Sequence, residues 1–394
     1  MEIRALRESD LEQAWALDQD AFHVPAERKL HFLQFADPSR WIGAFDAGRL
    51  VAATGAHAFG QFFGKRSVKM AGVHSVAVVP ERRGQGLARD VMTPLLYAMR
   101  ERGEVISSLF PAATRLYRGL GWEMGGSYLW RGVMPRSLQL LERPAQVLLR
   151  PGSAGDLELL RPCYTEFAAP QNGQVDRSEI WWRRLVALWD ERSVFVAEGP
   201  GGALDGYLVY RQLDGEWSAL GGPFRIAVYE LASVTRDASL ALWRLLGSWA
   251  SQVTQIVYRG PAEDPLLLLL PEQELSVLAE IRWMTRVVDA RGAVAARGFA
   301  PGVDVEVPLA LCDPVLEGNQ GNFLLRVRDG RGELEPGGRG GPTLAIGAFS
   351  SLYTGWASAE MLRRAGKLEG GSDAQRAALD AAFAGPTPWM VDEF

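Results

Sequence analysis

The sequence predicts an α/β protein of the α+β kind: two tandem mixed sheets flanked by helices, the second a degenerate copy of the first, then a smaller C-terminal α/β domain. Three observations carry this. Valine-rich, strand-like runs alternate with amphipathic helical stretches through the first 284 or so residues. The pair Val147-Leu148-Leu149-Arg150 and Asp156-Leu157-Glu158 echoes Ile3-Arg4 and Asp10-Leu11-Glu12. From about Thr285 the texture changes to short strands between turns rich in Gly, Asn and Asp.

In order, a strand is predicted over 2–6, and Ser9 or Asp10 caps a helix with apolar Leu11, Ala14, Trp15 and Leu17 at helical spacing. Strands at 41–45 and 49–59 flank the turn residues Asp46-Ala47-Gly48. A valine-rich strand at 70–79 ends at Pro80, a helix over 87–102 closes at Gly103, and a strand at 105–110 precedes a short helix at 113–120. After Pro144 the second copy repeats this order: helix 178–189, strands 193–197, 206–211 and 227–234, helix 238–251. In place of a glycine loop it reads Thr235-Arg236-Asp237-Ala238-Ser239, so its cofactor binding is expected to be lost. The last part holds strands at 303–308, 322–328, 332–335 and 343–347 and helices at 348–354, 358–365 and 373–383. The expected domains are therefore 1–143, 144–284 and 285–394.

Bulk properties narrow the function. At 394 residues the chain exceeds one core of about 150 residues. A net charge of −5 without basic blocks argues against a nucleic-acid partner. Cys163 and Cys312 make no metal or disulfide framework, and His23, His31, His57 and His74 show no ligand spacing, so no metal is expected. The charged N-terminus has no signal-peptide core. The longest apolar run, 266–270, is too short to span a bilayer. A cytoplasmic protein without membrane partners is the expectation.

The chemistry concentrates after the valine-rich strand. Arg83-Gly84-Gln85-Gly86-Leu87-Ala88 fits R/Q-x-x-G-x-G/A and runs straight into an amphipathic helix. Glycines permit positive φ and close approach, and the first helical amides with the helix dipole suit a pyrophosphate. Arg82, Arg83 and Arg89 add positive charge. G-x-G-x-x-G is not satisfied, which sets a dinucleotide fold aside; a plain strand–turn–helix with a basic tip stays open. Tyr117 reads equally as a packed aromatic, His74 as a base or a core histidine, and Asp18 and Asp20 with Phe22 as an amine pocket or a solvated helix end.

This region resembles the GNAT superfamily of N-acetyltransferases, through the strand at Val76-Ala77-Val78, the loop, and Leu116-Tyr117-Arg118-Gly119-Leu120-Gly121-Trp122, which is similar to that superfamily's YxxxGF segment. The resemblance implies acetyl-CoA as co-substrate. Val76, Ala77 and Val78 would lie along the pantetheine arm and polarise the thioester carbonyl. Arg83, Gly84, Gln85, Gly86, Leu87, Ala88 and Arg89 would hold the pyrophosphate, with Ala112 and Ala113 beside the cofactor and Tyr117 near its sulfur. An active copy, a degenerate copy and a third α/β domain together resemble the enhanced intracellular survival (Eis) family, over the whole chain. That implies a sterol carrier protein-like third domain, Tyr117 as general acid, the α-carboxylate of Phe394 as general base, and a homo-oligomer, a hexamer in that family. Some members carry serine where this chain has Ala112, and aromatic residues where it has His74 and Ser75, which weakens the case for broad aminoglycoside acetylation. The implied acceptor is a primary amine on an aminoglycoside-like or polyamine-like small molecule or a lysine. The alternative is a lipid- or sterol-binding, or acetyl-CoA-sensing, protein that keeps the fold as scaffold.

Overall fold

A single sheet runs through both copies and sets the position of everything else. The computed structural model describes residues 1–213 and 223–394. The first copy supplies β1 (Glu2–Ala5), α1 (Leu11–Phe22), α2 (Lys29–Phe35), β2 (Trp41–Asp46), β3 (Arg49–Phe63), β4 (Arg66–Val78), α3 (Leu87–Glu101), β5 (Ile106–Leu109), α4 (Thr114–Arg118), β6 (Glu123–Val133) and α5 (Pro135–Gln139). The second supplies β7 (Leu148–Pro151), α6 (Leu157–Ala168), β8 (Val175–Asp176), α7 (Glu179–Val186), β9 (Ser193–Glu198), β10 (Leu204–Leu213), β11 (Phe224–Ser233), α8 (Arg236–Gly247), β12 (Val253–Gly260), α9 (Leu266–Leu269) and β13 (Ser276–Val287). The C-terminal part holds α10 (Ala290–Ala296), β14 (Val305–Cys312), β15 (Gly321–Arg328), β16 (Arg331–Pro336), β17 (Thr343–Ala345), α11 (Ile346–Thr354), α12 (Ala359–Arg364), β18 (Leu368–Glu369) and α13 (Asp373–Phe383).

The duplication is visible in the strand order. β1-β2-β3-β4-β5 and β7-β9-β10-β11-β12 are the two outer arms of one sheet, each antiparallel except for its last pair, which is parallel. The echoed sequence pattern has a matching physical purpose at both starts. Arg4 reaches Asp10 at 2.7 Å and Arg150 reaches Asp156 at 2.7 Å. Each aspartate also accepts a backbone N–H three residues earlier, from Arg7 and Ser153, at 2.8 Å. The six-residue spacing thus ties the first strand of each copy to its first helix.

Between the arms lie β13 and β6, in the order β5-β13-β6-β12. β13, from the end of the second copy, inserts beside β5, while β6, from the first copy, pairs with β12 of the second. The two copies are therefore knitted through hydrogen bonds rather than merely docked. Sequence patterning did not predict either strand.

The C-terminal part forms its own sheet, β16-β15-β14-β17-β18. Phe349, Tyr353 and Phe383 from its helices share a core with Phe63, Met70, Ile106 and Trp283 of the large sheet. Among the described residues no helix is long and apolar enough to cross a membrane. Cys163 is buried in α6 and Cys312 is exposed; both are free thiols.

One buried ion pair fastens this part to the sheet. Arg286 on β13 reaches the Asp313 carboxylate at 2.6 and 2.8 Å, both side chains being fully buried, and Asn319 donates to the same carboxylate at 2.8 Å. Asp313→Ala leaves a guanidinium buried without its counter-charge. We expect a loss of about 3–5 kcal/mol of stability, read by denaturant unfolding; a loss under about 1 kcal/mol would show that solvent reaches Arg286.

Candidate active site

The site begins where β4 leaves β5. Their parallel ladder covers only Met70, Ala71 and Gly72 against Ile106, Ser107 and Ser108. Beyond Gly72 the edge of β4 facing β5 is unpaired, while its other edge stays on β3 as far as Val78. Backbone amides without partners need an acceptor, so residues 73–78 offer an open edge for an extended ligand. A bulge falls in the same stretch. Ala53 faces Ala77 but Gly55 faces His74, which puts one extra residue into β4. Ser75 adopts φ +53 there, a strained choice for a non-glycine residue.

Pro80–Arg82 then turn the chain into the glycine loop. Gly84 and Gly86 take φ +78 and +89, and a β-carbon on either would meet nothing within 4 Å. Gly86 precedes the first residue of α3 without a side-chain cap, so the helix's first amides have no internal acceptor. This open, positively polarised cradle fits a diphosphate. The basic residues divide unequally. Arg82 reaches Asp46 at 2.8 Å and the loop's own Gln85 at 3.1 Å, and Arg83 Nε donates to the Val78 carbonyl at 3.2 Å.

Opposite the open edge, α4 starts after Ala113 and carries Tyr117 inward, buried and edge-on to Trp122 at 6.4 Å. Burial pushes its phenol up to about 12. The chain's last residues cross from the C-terminal part to the same place. Trp389, Met390, Val391 and Asp392 are buried. Trp389 N donates to Asn172 O at 3.0 Å, Arg259 donates to Val391 O at 3.0 Å and pairs with Glu393 at 2.8 Å. Asp392 accepts from Trp181 Nε1 at 2.7 Å, Arg177 Nε at 3.0 Å and Tyr164 OH at 3.2 Å. The Phe394 ring settles among Phe59, Phe110 and Trp181, with centroids 5.3, 5.8 and 6.4 Å away. It lies over Gly72, where a β-carbon would stand 2.8 Å from the ring. Glycine at the point of strand separation thus makes the seat for Phe394.

Val76, Ala112, Tyr117 and Phe394 line one cavity of about 330 Å³, together with Asp18, His57, His74 and Arg184. Ala77 points to the other side, into the core with Leu87 and Val91, and the partly buried Val78 packs against that same core, so only their backbones face the open edge. The loop residues from Arg83 to Arg89 are not on this cavity; they follow the strand's end.

Two histidines form part of the wall. His74 stacks on His57 at 4.0 Å and meets Trp41 edge-on at 4.9 Å. Burial, reinforced by Arg184 and Arg40, holds His74 down at about 3. Burial, then His74, Arg184 and Arg40, hold His57 well below its usual value. Both are neutral packing groups at neutral pH, and His74 is a weak base. Asp18, by contrast, is raised by burial, against opposition from Ser75 and Arg184, and its Oδ1 is buried without a hydrogen-bond partner among the described residues. Sequence reading missed His57, Phe110, Trp181 and Arg184. Two of these come from α7 of the second copy, and only the fold brings them here.

The second copy differs where the cradle should be. Thr235 caps α8 with its own hydroxyl, accepting from Ala238 N at 3.2 Å, and so occupies an amide that Gly86 leaves free in α3. A larger cavity of about 950 Å³ lies beside that helix start, but neither Tyr117 nor Phe394 reaches it. Size therefore does not mark the chemistry here.

Residues 2–125 and 173–287 each match the family described as acetyltransferase (GNAT) domain, and residues 290–391 match sterol carrier protein domain. The structure is similar to that of a GCN5-related N-acetyltransferase from Kribbella flavida, with a TM-score of 0.87, 31% identity and coverage of 100% of this chain and 98% of the other. An N-acetyltransferase from Streptomyces griseus is 29% identical over 91% of this chain and 90% of its own length. N-acetyltransferase Eis from Mycobacterium tuberculosis is 28% identical over 81% and 79%. The open strand edge and glycine cradle, with these likenesses, define a GNAT-type N-acetyltransferase that uses acetyl-CoA. The chain belongs to the GCN5-related N-acetyltransferases.

The neutral histidines make stability depend on pH. Unfolded, each titrates near 6.5; folded, each is held far lower. The unfolded chain therefore takes up protons first, and their contribution is complete above about pH 6.5 and is lost as pH falls, for His74 down to about 3, by at most about 1.4 kcal/mol per unit per histidine. Thermal melts at pH 7 and pH 5 should show this loss, and His74→Gln should shrink it. An equal loss in the variant would place the acid sensitivity elsewhere.

Proposed function

We propose that the chain transfers the acetyl group of acetyl-CoA to a primary amine, on a small molecule or a lysine side chain, by direct attack, with Tyr117 as acid and the α-carboxylate of Phe394 as base. The observation that carries this reading is the single cavity shared by Tyr117, Phe394 and the freed edge of β4 at Val76.

The donor brings an activated thioester. The chain's part is to grip it through Gly84 to Arg89 and the amides of Val76 to Val78, and to keep water out with Phe110 and Phe394. Amides directed at a developing oxyanion are effective because they need no reorganisation. The acceptor must attack as a free amine. As its nitrogen bonds to the carbonyl carbon and the carbon–sulfur bond breaks, the amine proton passes to the Phe394 carboxylate, directly or through water. A carboxylate is a weak base in bulk water, so its position matters, and the packing of the Phe394 ring on Phe59, Phe110 and Trp181 supports a fixed place for it in the cavity. Tyr117, protonated throughout the neutral range, gives its proton to the departing thiolate and regains one from solvent.

Tyr117→Phe keeps the ring and its packing and removes the proton donor. We expect kcat to fall by roughly 10²–10⁴-fold with acetyl-CoA affinity unchanged by calorimetry. Turnover within about threefold of the parent would make Tyr117 structural.

The base is tested at the other end. In a chain that ends at Phe394, appending residues converts the carboxylate to an amide while the Asp392 anchor is retained. Activity should nearly disappear, and an N-terminal tag of the same length should be harmless. Full activity with the extension confirmed by mass spectrometry would remove Phe394 from the mechanism.

A further inference from the structure

The catalytic cavity adjoins a second one of about 430 Å³, and Asp18, Arg184 and Glu393 line both. This second cavity is the space available to the body of an acceptor whose amine reaches Tyr117. Its charges are informative. Five arginines line it, Arg28, Arg177, Arg184, Arg192 and Arg259, against four carboxylates, Asp18, Glu230, Asp392 and Glu393. A pocket built for polycations is expected to carry the opposite excess.

The fixed carboxylates do not satisfy all five. Arg28 pairs with Glu191 at 2.8 Å. Arg177 is held by Asp392 at 3.0 Å and Glu230 at 2.8 Å, and Arg259 by Glu393 at 2.8 Å. Arg192 lies on the Tyr229 ring, 4.0 Å from its centre. Arg184 is different. Among the described residues it has no carboxylate within 4.0 Å. Its side chain lies 5.2 Å above the Trp181 ring and makes one long contact, from Nη1 to His57 Nε2 at 3.4 Å. Burial weakens its charged form, and Asp18 is the carboxylate that opposes this. Facing the same junction, Asp18 Oδ1 is buried without a partner. A half-buried guanidinium with unused donors thus faces a buried carboxylate oxygen that has no hydrogen-bond partner among the described residues, and a ligand at the junction could engage both.

Resting on the acetyl-transfer reading, we propose that the acceptor is an amine that also carries an acid group, a carboxylate or a phosphate, which Arg184 receives at the junction of the two cavities, with Asp18 facing the amine end. Guanidinium suits either acid because its parallel N–H donors match two oxygens at once. Anchored this way, an acceptor lies with its acid on the second copy's α7 and its amine toward β4. A small amino acid-like molecule fits the space, and a polyamine would leave Arg184 without an anionic partner.

The test uses the full chain loaded with coenzyme A and two matched pairs of amines: lysine with cadaverine, and phosphoethanolamine with ethanolamine. Calorimetry should show the acid-bearing member of at least one pair binding roughly ten- to a hundredfold more tightly than its partner, the margin of a charge-assisted contact. The pair that shows it distinguishes carboxylate from phosphate. Arg184→Gln should erase the margin. Equal or weaker binding of both acid-bearing amines to the parent protein, which needs no variant to fold, overturns the proposal, as does a margin that survives in Arg184→Gln. A water-bridged Asp18–Arg184 pair that accepts no ligand gives the first of these results. Thiol release with acetyl-CoA in place of coenzyme A reads the two ideas apart. Release from cadaverine and ethanolamine with no margin for the acids overturns the acid-binding site alone; a binding margin with no thiol from any amine supports that site and overturns acetyl transfer.

Discussion

The carboxylate of Asp392 is the constraint on which the catalytic geometry depends. It lies in a dry environment, with its side chain 1% exposed and that of Arg177 2% exposed. Burial opposes the charge on Arg177, but Asp392 and Glu230 more than offset it, so the guanidinium stays charged. Trp181 Nε1 and Tyr164 OH take further lone pairs of Asp392. Such a pair adds little to stability compared with an apolar substitute, yet losing one partner costs about 3–5 kcal/mol. Its value here is specificity of place. A tail with no regular secondary structure after Phe383 is fixed at Asp392, and the Phe394 ring packs over Gly72, where β4 leaves β5.

That gap is itself a balance of lost and replaced interactions. Separating the two strands after Gly72 sacrifices ladder hydrogen bonds along the rest of β4. The bulge at Ser75 compounds the cost with a left-handed residue. These are the features expected of a ligand-binding edge, since strain and unpaired amides persist only where surrounding structure enforces them. The enforcement is visible: β3 holds the far edge of β4, α3 packs Leu87 and Val91 against its buried face, and β13 holds β5 from the other side.

What the sequence revealed follows the locality of the signal. Helices and strands of both copies were legible because their apolar spacing is a property of neighbouring residues. The glycine loop was legible because two positive-φ glycines opening a helix have few other uses. β13 was not. Its half from Trp283 to Val287 is buried on both faces, Arg286 included, so the alternation that marks a strand is absent, and its partners lie far away in the first copy. Tyr117 and Phe394 came from family resemblance rather than from any pattern of their own. Asp392, Arg177, Arg184 and His57 were illegible as site residues, since nothing local distinguishes them from surface charges. Gly72 did carry a signal. A glycine inside a valine-rich strand marks close approach of another group, and here that group is the Phe394 ring.

The two copies have diverged in a way that the fold explains. Where Gly86 leaves the start of α3 uncapped, Thr235 caps α8 with its own hydroxyl. Its surface toward the first copy has meanwhile become part of the first copy's site. α7 contributes Arg184 to the cavity wall and Trp181 to the seat of the Phe394 ring, and Arg177 just before it holds the tail. Shared strands β6 and β13 fix the angle between copies, so these side chains arrive in register without any linker to absorb error. The second copy is thus retained for what it presents outward. In the proposed reaction it would supply the acceptor wall, with the tail anchor at Arg177, while the first copy would supply the donor cradle. If the proposed reading holds, changes in the second copy's α7 would alter which amine is accepted and leave the glycine loop of the first copy untouched.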